Sequence, residues 1–238
     1  MAGRERSIWL RVANGLEILS GQGRRVWNEP AAVRNALREL LSVVPVTHVQ
    51  IDVSALRGRS DPPAEWRALL ARAEDWDDLL RELVAATSDA VRGRAVWGIG
   101  LPGPTEVAES LGDASERGVL KAGLQLASFL QGFREAGIGF VAIDLTGGSV
   151  PAKTVAPIFR NAELYGWKRA AVVRDESQSA CGADISLVVR TGLSAGFWTG
   201  EESFAPALDA EIVFGEIPAG TEPAAIVTAG RGLRAWMA

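Results

Sequence analysis

Cysteine and histidine each occur once in the 238 residues, as Cys181 and His48. A single cysteine cannot close a disulfide within the chain, and this usage fits a reducing compartment. A zinc centre draws three or four ligands from His, Cys and acidic side chains, which one His and one Cys do not furnish, so no zinc is expected; carboxylates alone leave Mg²⁺ open, and no metal and no cofactor are assigned. Long apolar runs are also missing. No stretch approaches the roughly 18–20 residues of a membrane span, and the opening MAGRERSIWLRVANG carries charge but no apolar run of signal-peptide type. The expectation is a cytoplasmic protein without membrane contact. Lysine and arginine form no block and the net charge is −4, which disfavours a nucleic-acid partner. What remains is a small-molecule substrate, with a homodimer as a compatible assembly.

No linker, low-complexity tract or charge block divides the chain, so residues 1–238 read as a single domain. Short apolar runs alternate with longer helical patterns, the signature of a parallel sheet with helical crossovers. Strands are expected at Ser7–Val12, His48–Ser54, Ala95–Leu101, Gly139–Thr146, Arg169–Arg174, Asp184–Arg190 and Glu211–Ile217, with an eighth at Gly196–Thr199. Helices are expected after Asn28, from Asp61 to about Arg92, over Thr105–Leu111, after an Asp113/Glu116 capping pair, around Thr154–Leu164, and over Pro223–Met237 with Thr221 as cap. The fourth of these carries Leu120, Leu124, Ala127, Leu130 and Phe133. Eight strands predict a (β/α)8 TIM-like barrel. The short gap between Val173 and Asp184 leaves no room for a standard helical crossover, so the barrel is expected to be distorted or to lack helices in its last third, with an open sheet as the alternative.

Parallel barrels bind ligands over the C-terminal ends of their strands. Those ends here bring Asp52 and Ser54; Pro102, Gly103 and Glu106; Asp144, Thr146 and Gly147; Arg174, Asp175 and Glu176; Arg190; Thr199 and Glu201; and Glu216. Carboxylates crowded in a partly dry pocket separate in pKa, so that one serves as acid and another as base. Asp52 and Asp144 are the acid–base candidates, because each follows an apolar run that points it out of the core. Arg174 is the candidate clamp for a substrate carboxylate, and Gly103, Thr146, Gly147 and Glu216 are further binding candidates. The competing reading is that each aspartate merely caps its own loop. A pocket carboxylate near other negative charge is eased by neutralisation, so Asp144→Asn is expected to keep or raise the melting temperature. His48 opens its strand at the opposite end and reads as structural. Cys181 has no second histidine to activate it and reads as an inert thiol. Trp66 and Trp76 read as core, while Trp97, Trp167 and Trp198 serve packing or a flat ligand equally well.

The run VWGIGLPGPTEVA at residues 96–108 is followed by a helix and then by EAGIGFVAIDLT at residues 135–146. This arrangement resembles the central part of the uroporphyrinogen decarboxylase and cobalamin-independent methionine synthase superfamily, and Glu211–Pro223 is compatible with it. The resemblance implies a (β/α)8 barrel with its pocket at the strand C-termini. It also implies decarboxylation of acidic tetrapyrroles or methyl transfer to thiols. The methyltransferase branch uses a His/Cys/Cys zinc site that this sequence lacks. The decarboxylase branch needs no cofactor and uses Arg and Asp near the first strands, where Arg11 and Asp52 stand here, although its Arg-rich N-terminal motif is not reproduced. The leading expectation is therefore a zinc-independent barrel enzyme acting on a carboxylated small molecule by carboxylate acid–base chemistry, decarboxylase- or lyase-like. The alternatives are a folate-linked methyltransferase relative without the zinc site and a non-catalytic ligand-binding barrel.

Overall fold

Alternating apolar side chains close the chain's strands into a ring with two cores. The computed structural model describes residues 6–57, 66–70, 74–148, 150–189, 193–199 and 211–238. Its strands are β1 (Ser7–Arg11), β2 (His48–Asp52), β3 (Val96–Leu101), β4 (Phe140–Asp144), β5 (Lys168–Val173), β6 (Ile185–Val188) and β7 (Ile212–Glu216). They form one sheet in the order β6-β5-β4-β3-β2-β1-β7, every neighbouring pair parallel. The two ends of that order meet at Leu193, which pairs in parallel with Gly215 and donates its N–H to the Phe214 carbonyl at 2.8 Å. The result is a nearly closed seven-stranded barrel.

The helices are α1 (Ala13–Leu19), α2 (Pro30–Val43), α3 (Val53–Arg57), α4 (Trp66–Leu70), α5 (Glu74–Val91), α6 (Pro104–Ser110), α7 (Glu116–Leu130), α8 (Ala152–Leu164), α9 (Ala195–Thr199) and α10 (Pro223–Met237). Outward strand residues such as Ile8, Leu10, Val49, Ile99, Val141 and Ala171 pack against this helical shell. Inward residues fill the barrel with a smaller core of Trp9, Phe140, Ala142, Ala170, Val172, Leu187 and Phe214. Gly98 makes room for that core, since a Cβ there would strike the Phe140 ring.

Several boundaries differ from the sequence reading. The expected eighth strand at Gly196–Thr199 lies in α9, because the Ser194 hydroxyl accepts the Phe197 N–H at 3.1 Å and starts a helical turn. Ser54 belongs to α3 rather than to β2. Asn28 ends a 3₁₀ turn (Gly23–Asn28), and Glu29 takes the cap position of α2 without a side-chain bond. Ser115, not the Asp113/Glu116 pair, caps α7. The Asp113 carboxylate is occupied by the Ser115 N–H and hydroxyl, leaving the Ser115 oxygen to accept from Gly118. Thr221 turns its hydroxyl back to the Pro218 carbonyl, so α10 starts without it. Leu120 and Leu124 are exposed. The buried side of α7 instead runs through Val119, Ala122, Gly123 and Leu126, because α8 approaches so closely that a Cβ at Gly123 would meet the Thr154 carbonyl. Asp61 and Ala73 of the long helical region, and the Trp76 side chain, lie outside the described residues.

The β5–β6 connection, residues 174–184, contains no helix. Asp184 instead staples the start of β6 to the start of β5, accepting from the Arg169 backbone at 2.9 Å and from its guanidinium at 2.5 and 3.1 Å. Trp97 and Trp167 pack against the helical shell and Trp198 is wholly buried. No helix among the described residues is long and apolar enough to cross a membrane.

Candidate active site in the barrel mouth

Ser7, Trp9 and Arg11 share the inward side of β1, so the strand's last residue delivers a guanidinium to the barrel's C-terminal mouth. Three neighbouring strand ends deliver carboxylates to the same place. Arg11 meets Asp144 of β4 at 2.5 Å, Asp52 of β2 at 3.8 Å and Glu216 of β7 at 3.9 Å. Arg11 and Asp52 are each 15% exposed as side chains, against 44% for Glu216, so the cluster grades from a dry floor to a wet rim. The space beside Asp52 comes from β3. Gly100 lies next to it in the ladder, and a Cβ there would fall well inside contact with the Asp52 carboxylate and the Gln50 amide. Gly103 plays a similar part above β4, where its backbone lies against the Asp144 carbonyl.

Each carboxylate has a distinct set of partners. Asp52 accepts from the Gln50 amide at 2.8 Å. Asp144 uses one oxygen for Arg11 and the other for the Thr146 N–H and hydroxyl at 2.9 and 2.6 Å, so it caps its loop and joins the cluster at once. Glu216 accepts from Asn14 of α1 at 3.0 Å. The environments push these groups in different directions. Burial raises Asp52 above the usual carboxylate range, and the opposing pull of Arg11 and Gln50 does not cancel it. Burial also raises Glu216, helped by the charges of Asp52 and Asp144 against the pull of Arg11. Burial acts on Asp144 as well, but Arg11 and Thr146 together outweigh it and leave this carboxyl below its ordinary value. Burial alone would favour loss of the Arg11 proton, yet the surrounding carboxylates reverse that and hold its charge. The mouth therefore contains one carboxylate favoured in its ionised form, Asp144, and two carboxyls pushed toward their acid forms, Asp52 and Glu216, all beside a fixed cation.

The cluster forms one wall of a cleft of about 480 Å³. Asn14, Glu17, Arg24, Ser54, Pro102 and Glu106 complete much of its lining. Glu17 is held by the indole N–H of buried Trp27 at 3.0 Å. Among the residues singled out from the sequence, Asp52, Asp144 and Glu216 come together, with Thr146 behind Asp144. Gly147 is exposed on the loop and does not line the cleft. Arg174 is exposed and also stands apart from it, its backbone N–H bonded to the Gln178 side chain at 2.7 Å. The reason is where β5 ends: the inward alternation of Ala170 and Val172 would carry position 174 into the barrel, but the strand stops at Val173 and Arg174 already lies in the turn. Asp175 caps its own loop through Ser177, while Arg190 and Glu201 lie outside the described residues.

The sequence reading overlooked Asn14 and Glu17 because α1, a seven-residue helix without a side-chain cap, carries little signal. Arg11 was reached only through the family resemblance. Its independent signal is parity, as a lone arginine two residues beyond Trp9 on the inward side of β1. Among the described residues no set of three His, Cys, Asp or Glu side chains is arranged to hold a metal ion; the three mouth carboxylates are gathered on a guanidinium instead. His48 lies at the barrel's other end, stacked on Trp9 with ring centroids 4.0 Å apart. Cys181 is partly buried, its thiol directed at the Val150 carbonyl. In comparisons with known proteins, no family model and no curated protein matches the chain.

Proposed function

We propose that the chain is an acid–base enzyme of the lyase kind, acting on a small polar molecule in the barrel mouth. The observation that carries this reading is the division of roles around Arg11, with Asp52 biased toward its acid form and Asp144 held as a carboxylate. In such a pair Asp52 delivers a proton to the leaving atom. Asp144 stabilises positive charge as it develops and accepts the substrate proton. Glu216, raised and half exposed, contacts the substrate at the rim. A carboxylated substrate of the decarboxylase type would place its carboxylate at Arg24, the rim arginine, because Arg174 is outside the cleft and Arg11 is committed to Asp144. The reacting end, facing five acidic side chains, is neutral or cationic.

The test uses individual metabolites screened for binding by ligand-observed NMR, each hit then incubated with the protein in D2O. Deuterium wash-in or bond cleavage that is lost in both Asp52→Asn and Asp144→Asn supports the reading. Hits that bind but show neither exchange nor cleavage would make the barrel a binding protein and overturn it.

A further inference from the structure

The mouth cleft has a second lobe. Beyond Arg11, Asn14 and Glu216 lies a space of about 280 Å³ that shares those three residues with the main cleft. Its other walls are of opposite character: Val189, Leu193, Ala195, Phe214 and Pro218. It sits at the β6–β7 seam, where the Leu193–Gly215 pairing joins the strand order's ends. The Arg11 guanidinium lies over the Phe214 ring at 5.5 Å, so one residue anchors the acidic cluster and backs the apolar wall. Val189 is 48% exposed and lines this lobe.

Resting on the acid–base reading above, we infer that the substrate is amphipathic: a compact apolar group, a single ring or a short branched chain, occupies this lobe while its polar end meets Asp52 and Asp144 across the Arg11–Glu216 saddle. Three features make the lobe part of the substrate site rather than a separate one. It is continuous with the mouth. Among the described residues it offers no charged wall beyond the shared Arg11 and Glu216. Its size falls just under the roughly 300–1,000 Å³ of ordinary ligand pockets, enough for part of a small molecule. Discrimination then arises where the two lobes join, since a fully polar substrate leaves the apolar walls unfilled and a fully apolar one leaves the cluster unanswered.

The probes are 2-phenylethylamine and ethylamine, which share an ammonium suited to the acidic mouth and differ in the ring. Isothermal titration should give an affinity at least roughly tenfold higher for the phenyl probe, as expected when a multi-carbon apolar group fills such a pocket. Ala195→Trp narrows the lobe from an exposed position, and Val189→Asp puts a charge into it from a half-exposed one; either should remove that difference. Carboxyl NMR of Asp144 checks that the mouth is intact in both variants. Equal affinities of the two probes for the native chain, or a phenyl preference that survives both variants, would overturn the inference. Those outcomes concern binding alone. Failure of the acid–base reading would appear as absent exchange or turnover with the phenyl preference intact.

Discussion

The two aspartates of the mouth differ in what they contribute to stability, and the difference reverses one sequence expectation. Asp144 is the carboxylate whose charge the fold uses, through Arg11 and Thr146. Its lowered value means that its stabilisation is present above the ordinary carboxylate range and is lost as pH falls through the folded value. Asp144→Asn should therefore lower stability at neutral pH by about 1–3 kcal/mol, or roughly 2–4 °C of Tm per kcal/mol for a chain of this size. The tolerance expected for Asp144 belongs to Asp52. Its raised value means that ionisation costs stability as pH rises from the unfolded through the folded value. Asp52→Asn should leave Tm at pH 7 unchanged or higher. Thermal melts of the two variants side by side decide the matter, and the opposite order would reverse the assignment of acid and carboxylate. His48 supplies a second pH signature. Burial, with Lys168 adding to it, lowers its value from 6.5 to about 4. The unfolded chain takes up a proton there first, so stability declines as pH falls from about 6.5 toward 4. His48→Phe keeps a ring against Trp9 and should flatten that decline, by about 1–3 kcal/mol across the window after solvent screening. An unchanged acid limb in pH-dependent urea melts would place the loss elsewhere.

Among the elements, β3 shows why the site was only half legible in the sequence. Its run VWGIGL reads as a buried strand, and that much follows from composition alone. The meaning of Gly98 and Gly100 does not, because it depends on which side of the strand faces the barrel and on what the adjacent strands place there. With the register in hand, both glycines face inward, one yielding to Phe140 and the other to Asp52 and Gln50. Strand length, not parity, separates Arg11 from Arg174: β1 runs through Arg11, whereas β5 stops at Val173, one residue before its next inward position. Strand ends locate a candidate to within a residue or two, but parity and the strand's last residue together decide whether it reaches the mouth. The eighth strand failed for a different reason: a single serine hydroxyl at Ser194 was enough to start a helical turn in an apolar segment. Gly100→Ala tests the register argument. The added methyl cannot fit without moving Asp52, so the variant should lose about 1–3 kcal/mol in denaturant melts, as overpacked cores do. The Asp52 carboxyl resonance should also change its titration, while that of Asp184, at the barrel's far end, stays as it was. A variant with native stability and native Asp52 titration would mean that the close approach does not exist in solution.

Across the whole molecule, stability should be uneven around the ring, and the unevenness falls beside the site. β3 and β4 lie mid-sheet, bonded on both sides, with α3 and α5 packed on β3. β6 is four residues long, pairs among the described residues with β5, and is reached without a covering helix. The ring closes past it through the Leu193–Gly215 pairing. Local opening follows the density of buried contacts and bonded neighbours. The seam should therefore open well below the global unfolding free energy, while Ile99 and Val141 exchange only when the whole barrel unfolds. Native-state hydrogen exchange can read this directly. The Val189 and Leu193 amides, bonded to the Val173 and Phe214 carbonyls, should exchange at least tenfold faster than those of Ile99 and Val141, a difference of about 1.4 kcal/mol or more in opening free energy. Because Val189 and Leu193 also line the apolar lobe, a ligand seated there ties the two ends of the sheet together. Saturating 2-phenylethylamine should slow exchange at those two amides more than ethylamine does, and leave the mid-sheet amides shifted only by the global stabilisation that any bound ligand brings. Uniform protection around all seven strands in the free protein would mean that the seam is as firmly closed as the rest of the barrel, and the mouth would then be a rigid cup instead of one with a yielding side.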